Sequence, residues 1–190
     1  MQSLRREYQQ IAWGLDPAQM IFLDESGVHL GMTRLFGRAL TGERAHSSRP
    51  KNRGKNITMI SAISLEGVLA TLTYEGGTDI FAFMTFITQV LVPVLWAGAI
   101  VLMDNLNVHL DQKVKVAIES VGAKIIFLPK YSPDLSPIEL LWSKIKEFLR
   151  SRQPRTCEEL DDSITDAFNT VTKEDLLGWF SDCDAKTVLI

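Results

Sequence analysis

The chain has 190 residues, 46% of them hydrophobic and 23% charged, with a formal net charge of −3. A chain of that size buries a substantial core, and the composition excludes a disordered or fibrous protein. Two cysteines, Cys157 and Cys183, are too few for a disulfide framework or a zinc cluster, which favours a reducing cytosol.

In chain order, residues 3–13 read as a helix with Leu4, Tyr8 and Ile11 on one side, and 1–19 as an N-terminal helix and linker. "MQSLRREYQQ" has no apolar run of the signal-peptide kind. "MIFLDESGVHL" reads as a strand crossing the core, with Gly27 marking a bend or bulge. "RPKNRGKN" is loop, and "ITMISAIS" and "VLATLTYEG" are two strands joined by a turn at Glu66 and Gly67. Thr78 is placed to cap a helix running to about Trp96 and bent near Pro93. Then come a strand, "AIVLMD", a helix over 111–120, a strand, "KIIFLP", and a helix entered through "SPIE". The alternation of strand and helix demands parallel pairing through right-handed crossovers. The expected fold is α/β, a mixed five-stranded sheet with three antiparallel strands first and parallel strands after, flanked by helices. Residues 1–190 form a single domain in this reading, with an acidic helical segment over 156–190.

Residues 81–103 carry no charge for 23 positions, a length that also fits a membrane helix. Pro93 and Gly98 interrupt the run, so a buried helix followed by a central strand accounts for it, and no membrane is expected. Net charge conceals an asymmetry. Residues 34–55 hold seven basic side chains against Glu43 alone, whereas from Thr156 onward nine acids face two lysines. The basic stretch suits a polyanion or a solvated loop equally.

Three carboxylates hold telling places. Asp24 lies inside the first apolar strand, Asp104 ends "AIVLMD", and Glu139 starts the late helix. A buried ionised acid is costly unless paired or bound to a metal, and acids at strand ends face the crevice where open α/β sheets bind ligands. Three hard oxygen donors favour Mg²⁺ or Mn²⁺ over zinc, and two such ions suit phosphodiester hydrolysis. There is no Gly-x-Ser-x-Gly elbow and no phosphate-binding Gly-x-x-x-x-Gly-Lys loop. Each acid also has a structural reading: Asp24 paired with an arginine, Asp104 capping a turn with Asn105, and Glu139 in a capping box with Ser136 and Pro137 at the first helical position.

Three blocks, "FLDESGVHL", "VLMDNLNVH" and "LPKYSPDLSPIELLWSKIK", together resemble the catalytic domain of DDE transposases of the mariner superfamily, in particular its bacterial insertion-sequence branch. Thirty-four residues separate Asp104 from Glu139, as is typical of that superfamily. The resemblance implies a ribonuclease H-like fold with Asp24, Asp104 and Glu139 as catalytic metal ligands. It implies two Mg²⁺ ions (Mn²⁺ substituting), hydrolytic nicking at transposon ends and strand transfer into target DNA. A dimer on DNA is expected, in the cytoplasm at the nucleoid. The helix-turn-helix domain that relatives carry ahead of the core is not found in these residues, so either a separate polypeptide supplies end recognition or the sequence is an excised or truncated piece of a longer chain. Two alternatives stay open: a catalytically silent DNA-binding or assembly remnant, and another ribonuclease H-like nuclease.

Arg49, Lys51, Arg53, Lys55, His109 and Lys130 are the candidate phosphate contacts. His109 suits a phosphate contact or the steadying of the active-site loop, and equally a structural role at a helix start, while Lys130 and Tyr131 equally suit a turn. Asn105 is placed to orient Asp104 or water. Glu25 and His29 read as structural groups, and Trp142 as core.

Overall fold

A computed structural model describes residues 2–183. Helix α1 (Gln2–Trp13) leads through a short turn, capped by the Asp16 carboxylate on the Ala18 N–H at 3.0 Å, into β1 (Met20–His29). After a long basic loop come β2 (Asn56–Ser64), β3 (Gly67–Glu75), α2 (Ile80–Thr85), β4 (Ile100–Met103), α3 (Gln112–Glu119) and β5 (Lys124–Phe127). Three helices complete the described chain: α4 (Ile138–Arg152), α5 (Cys157–Asn169) and α6 (Lys173–Asp182).

The sheet order is β3-β2-β1-β4-β5. β1 pairs antiparallel with β2, and β2 with β3, whereas β4 runs parallel to both β1 and β5. This is the mixed sheet expected from the strand spacing. β1 is the middle strand, and the period-two alternation of its side chains divides the core. Met20, Phe22 and Val28 pack with α4, α5 and α6, while Ile21 and Leu23 pack with α2 and α3. Helices therefore cover both faces, which explains why β1 and β2 read as nearly continuous apolar runs.

Several local expectations change. Gly27 is not a bulge: β1 and β2 stay in register through Gly27 and Thr58, and the irregularity falls instead between Ala62 and Ile63 on β2 against β3. At α2 the cap is Asp79, whose carboxylate accepts from the Ala82 N–H at 2.8 Å, while Thr78 meets the Tyr74 hydroxyl at 2.9 Å. Asp79 stands next to the first helical residue in extended conformation, the position a cap requires. Beyond Thr85 the chain widens into a π-helical stretch, Phe86–Leu91, and ends in a tight turn, Val92–Val94, around Pro93. The long apolar run is thus split between this helical segment and β4, and no helix among the described residues is long and apolar enough to cross a membrane.

The capping box at Ser136 does not form either. Pro137 occupies the cap position of α4 in a helical conformation, with no side-chain cap hydrogen bond. The chain arrives through a tight turn, Pro133–Leu135, that buries Leu135 and Ser136. Arg5 of α1 fixes this entry by donating to the Ser132 hydroxyl at 3.0 Å and pairing with Asp134. Genuine capping boxes do occur at α5 (Thr156 with Glu159) and α6 (Thr172 with Asp175), in the acidic segment read as helical. Residues 184–190 of that segment lie outside the described residues.

Candidate active site

The alternation that sorts β1 also aims its acids. Asp24 continues the row of Met20 and Phe22 and points toward α4, where the Trp142 indole N–H donates to its Oδ2 at 3.0 Å. Burial pushes the Asp24 carboxyl up to about 7, and the negative charges of Glu25 and Glu139 push the same way. Hydrogen bonds from the Glu25 backbone N–H and from Trp142 oppose the rise only in part.

Asp104 stands just past the end of β4. Its Oδ1 accepts from the Leu106 N–H at 3.1 Å and lies 2.7 Å from Nδ1 of His109. Burial alone raises the Asp104 carboxyl, but the His109 and Leu106 hydrogen bonds together outweigh it and hold the group below its ordinary value. Glu139 sits in the first turn of α4, exposed, and its carboxylate makes no hydrogen bond or ion pair among the described residues.

All three acids line one open cleft of about 430 Å³, together with Asn105, Lys130 and Tyr131. The strand, the strand end and the helix thus deliver to one place side chains that are far apart in sequence. Among the described residues, no three His, Cys, Asp or Glu side chains draw together tightly enough to hold a metal ion as they stand. Like charges spaced around a cleft repel, and the upward push of Glu139 on Asp24 records that repulsion. The donors fit a hard divalent cation in kind: three carboxylates line the cleft and no imidazole or thiolate does.

His109 occupies a different place from the one expected. Its side chain is fully buried, with Nε2 3.0 Å from Glu25 Oε1, Nδ1 on Asp104, and its ring 4.5 Å from that of Phe83. Burial would lower its pKa, but the paired carboxylates overcome that and bring it up to about 10, so the ring is an imidazolium at neutral pH. A phosphate contact by His109 is therefore corrected: no face of the ring is open to DNA, and the loop-steadying role is the one its contacts support. Glu25, read as a structural group, is the other half of this arrangement. Its Oε2 is buried without a hydrogen-bond partner among the described residues. The signal was present in the strand alternation, which sends Glu25 to the face opposite Asp24, but nothing in sequence named His109 as its partner.

Asn105 donates to the Leu128 carbonyl and so ties the loop after β4 to β5. Lys130 is exposed on the cleft rim. Tyr131 beside it is 85% exposed with φ +58°, a left-handed conformation that a bulky residue adopts at a cost of about 1–2 kcal/mol. Arg49, Lys51 and Arg53 line a second hollow, whereas Lys55 leaves the group and pairs with Glu75 at 2.7 Å.

The family model described as "DDE superfamily endonuclease" matches residues 19–161, a span that contains all three acids. The chain belongs to the DDE superfamily endonucleases. No curated protein matches it by sequence. Among solved structures, this DDE endonuclease chain is similar to the pre-cleavage Mos1 transpososome (TM-score 0.77, 16% identity, covering 98% of this chain and 58% of that one). It is similar too to the Mos1 transposase paired-end complex with left transposon end (0.79, 18%, 98% and 60%). The Mos1 transposase catalytic domain with Raltegravir and Mg gives 0.66 at 15% identity, covering 97% of this chain and 87% of that one. The chain spans about 60% of the longer Mos1 chains. At such identities the likeness is one of fold, and the fold is ribonuclease H-like, as expected.

Proposed function

We propose that this DDE endonuclease is the catalytic core of a mariner-type transposase, cutting DNA at transposon ends and joining the freed strand to target DNA. The observation that carries the reading is the single cleft lined by Asp24, Asp104 and Glu139. In this reading Asp24, Asp104 and Glu139 hold two Mg²⁺ or Mn²⁺ ions. When bound, the ions supply Lewis acidity at the scissile phosphate and favour the ionised form of an attacking water or 3′-hydroxyl.

The chain's own residues then have distinct tasks. Asp104 is held ionised and oriented by His109 and the Leu106 N–H. Asp24 is fixed in rotation by Trp142. Glu139, unbonded at a helix start, is free to turn toward the cleft. Lys130 on the rim supplies a positive charge for the phosphate backbone. The partners proposed are transposon-end and target DNA, a second copy of the chain when two ends are paired, and a separate helix-turn-helix polypeptide.

The test uses pre-nicked duplex DNA with Mn²⁺. Wild-type protein should cut and join strands, and Asp104→Ala should do neither. Equal activity in the two proteins rejects the site.

A further inference from the structure

A second concavity of about 570 Å³ opens where the basic loop leaves β1, returns toward β2, and meets the C-terminal half of α4. Its walls carry Arg49, Lys51 and Arg53 from the loop and Lys146 and Arg150 from α4, and no Asp or Glu lines it. None of these five cations makes a hydrogen bond or ion pair among the described residues. The rest of α4 differs: Lys144 pairs with Asp175, and Arg152 lies 3.7 Å from Asp166. Cations on the same helix are thus sorted into those matched to acids and those left open toward one hollow. Such a cluster repels itself and is stabilised by a polyanion.

The hollow is built rather than incidental. Arg155 donates to the Leu30 carbonyl at 2.9 Å, tying the loop's exit to the junction after α4. Gly31 allows the outgoing backbone to pass close to the returning one, since a Cβ there would stand 3.3 Å from the Arg53 Cα.

Its position relative to the acids follows from helix geometry. Lys146 and Arg150 stand seven and eleven residues after Glu139, near-integral numbers of turns, so the three share one face of α4. At 1.5 Å rise per residue they lie roughly 10 and 16 Å along the axis from Glu139. Phosphates on one DNA strand rise about 3.4 Å each, so that distance spans about three to five nucleotides.

We infer that the basic hollow formed by Arg49, Lys51, Arg53, Lys146 and Arg150 grips the phosphate backbone of DNA a few nucleotides from the bond held at the acid cleft. This deepens the proposed function and rests on it for the identity of the polyanion. The contacts are to phosphate, so they fix register and carry no base preference.

The experiment is fluorescence anisotropy with a labelled mixed-sequence DNA duplex in EDTA, repeated across a salt series. Removing two phosphate contacts with Lys146→Ala/Arg150→Ala should make the slope of log affinity against log salt shallower by about 1.8. The charge-preserving pair Lys146→Arg/Arg150→Lys should restore the wild-type slope. Lys144→Ala, which removes a cation already matched to Asp175, should leave the slope near wild type. An unchanged slope in the double alanine variant overturns the inference, as does an equal drop for Lys144→Ala, which would mean that only net charge matters. The EDTA measurement involves no cutting, so its failure is separate from that of the nuclease reading. A protein that shows the expected slopes yet never cuts DNA refutes the nuclease and leaves the hollow standing.

Discussion

The Trp142 indole N–H donates to Asp24 Oδ2 at 3.0 Å, so the middle strand of the sheet is bonded to the helix that carries Glu139. Trp142 follows Glu139 by three residues and therefore lies on nearly the same side of α4. Its ring is buried among the core side chains beneath the cleft. The helix thus presents one acid and orients another with neighbouring positions of a single turn.

Trp142→Phe keeps an aromatic ring in the core and deletes only the donor and part of the volume. The hydrogen bond lowers the Asp24 carboxyl, so its loss should move Asp24 further up. Mn²⁺ binding by calorimetry as a function of pH should then shift its midpoint to higher pH, with a loss of stability of about 1–3 kcal/mol. A stability loss with an unmoved midpoint would reduce Trp142 to core packing.

Asp24 also makes a prediction for the metal-free protein. Burial first, then neighbouring negative charge, raises its folded-state carboxyl from 3.8 to about 7. For a raised pKa the contribution to stability is fully present below the unfolded value and is lost as pH rises through the folded one. The melting temperature in EDTA should accordingly carry a falling component between pH 4 and pH 7, at most on the order of 4 kcal/mol. Asp104 acts in the opposite sense, its lowered carboxyl losing stability as pH falls. The comparison that isolates Asp24 is therefore wild type against Asp24→Asn, whose profile should lack the falling component. Parallel profiles would place Asp24 in water.

Glu139→Gln separates presentation from folding. With no cap hydrogen bond at the start of α4, Glu139 contributes to the helix only through its dipole, about 0.3–1 kcal/mol. The melting temperature should fall by less than roughly 4 °C, while Mn²⁺-dependent strand cutting should be lost. A large drop in stability with residual cutting would mean that the helix start is the main role of Glu139.

What sequence could and could not convey differs by the range of the cause. The order and direction of the strands follow from local apolar runs and short connections, and those were legible. So was the placing of Asp24 and Asp104, because an acid ending a run of "MIFL" or "IVLM" has little choice of position. The capping box at Ser136 was misread because its spacing is satisfied while the preceding Pro133–Leu135 turn sets a different entry. Thr78 lost the cap to its neighbour Asp79, a difference of one residue that composition does not resolve. Partners across the fold were not readable at all. Neither the 84-residue separation of Glu25 and His109 nor the approach of Lys146 and Arg150 to the basic loop leaves a local pattern.

The buried chain of Glu25, His109 and Asp104 gives the last prediction. His109 is held as a cation between two carboxylates, and one oxygen of Glu25 has no other partner among the described residues. His109→Ala leaves Glu25 buried and unmatched, which should cost about 3–5 kcal/mol. Glu25→Gln keeps an acceptor for Nε2–H and removes a charge, so it should cost less. Once Glu25 is neutral, His109→Ala should cost less than it does in the wild type, since no buried anion is stranded. A coupling of at least about 1 kcal/mol in the double-mutant cycle is expected. The histidine pKa, raised from 6.5 to about 10, adds a sign: its stabilisation is present below 6.5 and is lost as pH rises toward 10. Wild-type protein should therefore lose stability across that alkaline window and His109→Ala should not. Because His109 also orients Asp104, His109→Ala should weaken Mn²⁺ binding even at temperatures where the protein is fully folded. Additive costs together with unchanged Mn²⁺ affinity would show that Glu25 and Asp104 are served by His109 independently of the cleft.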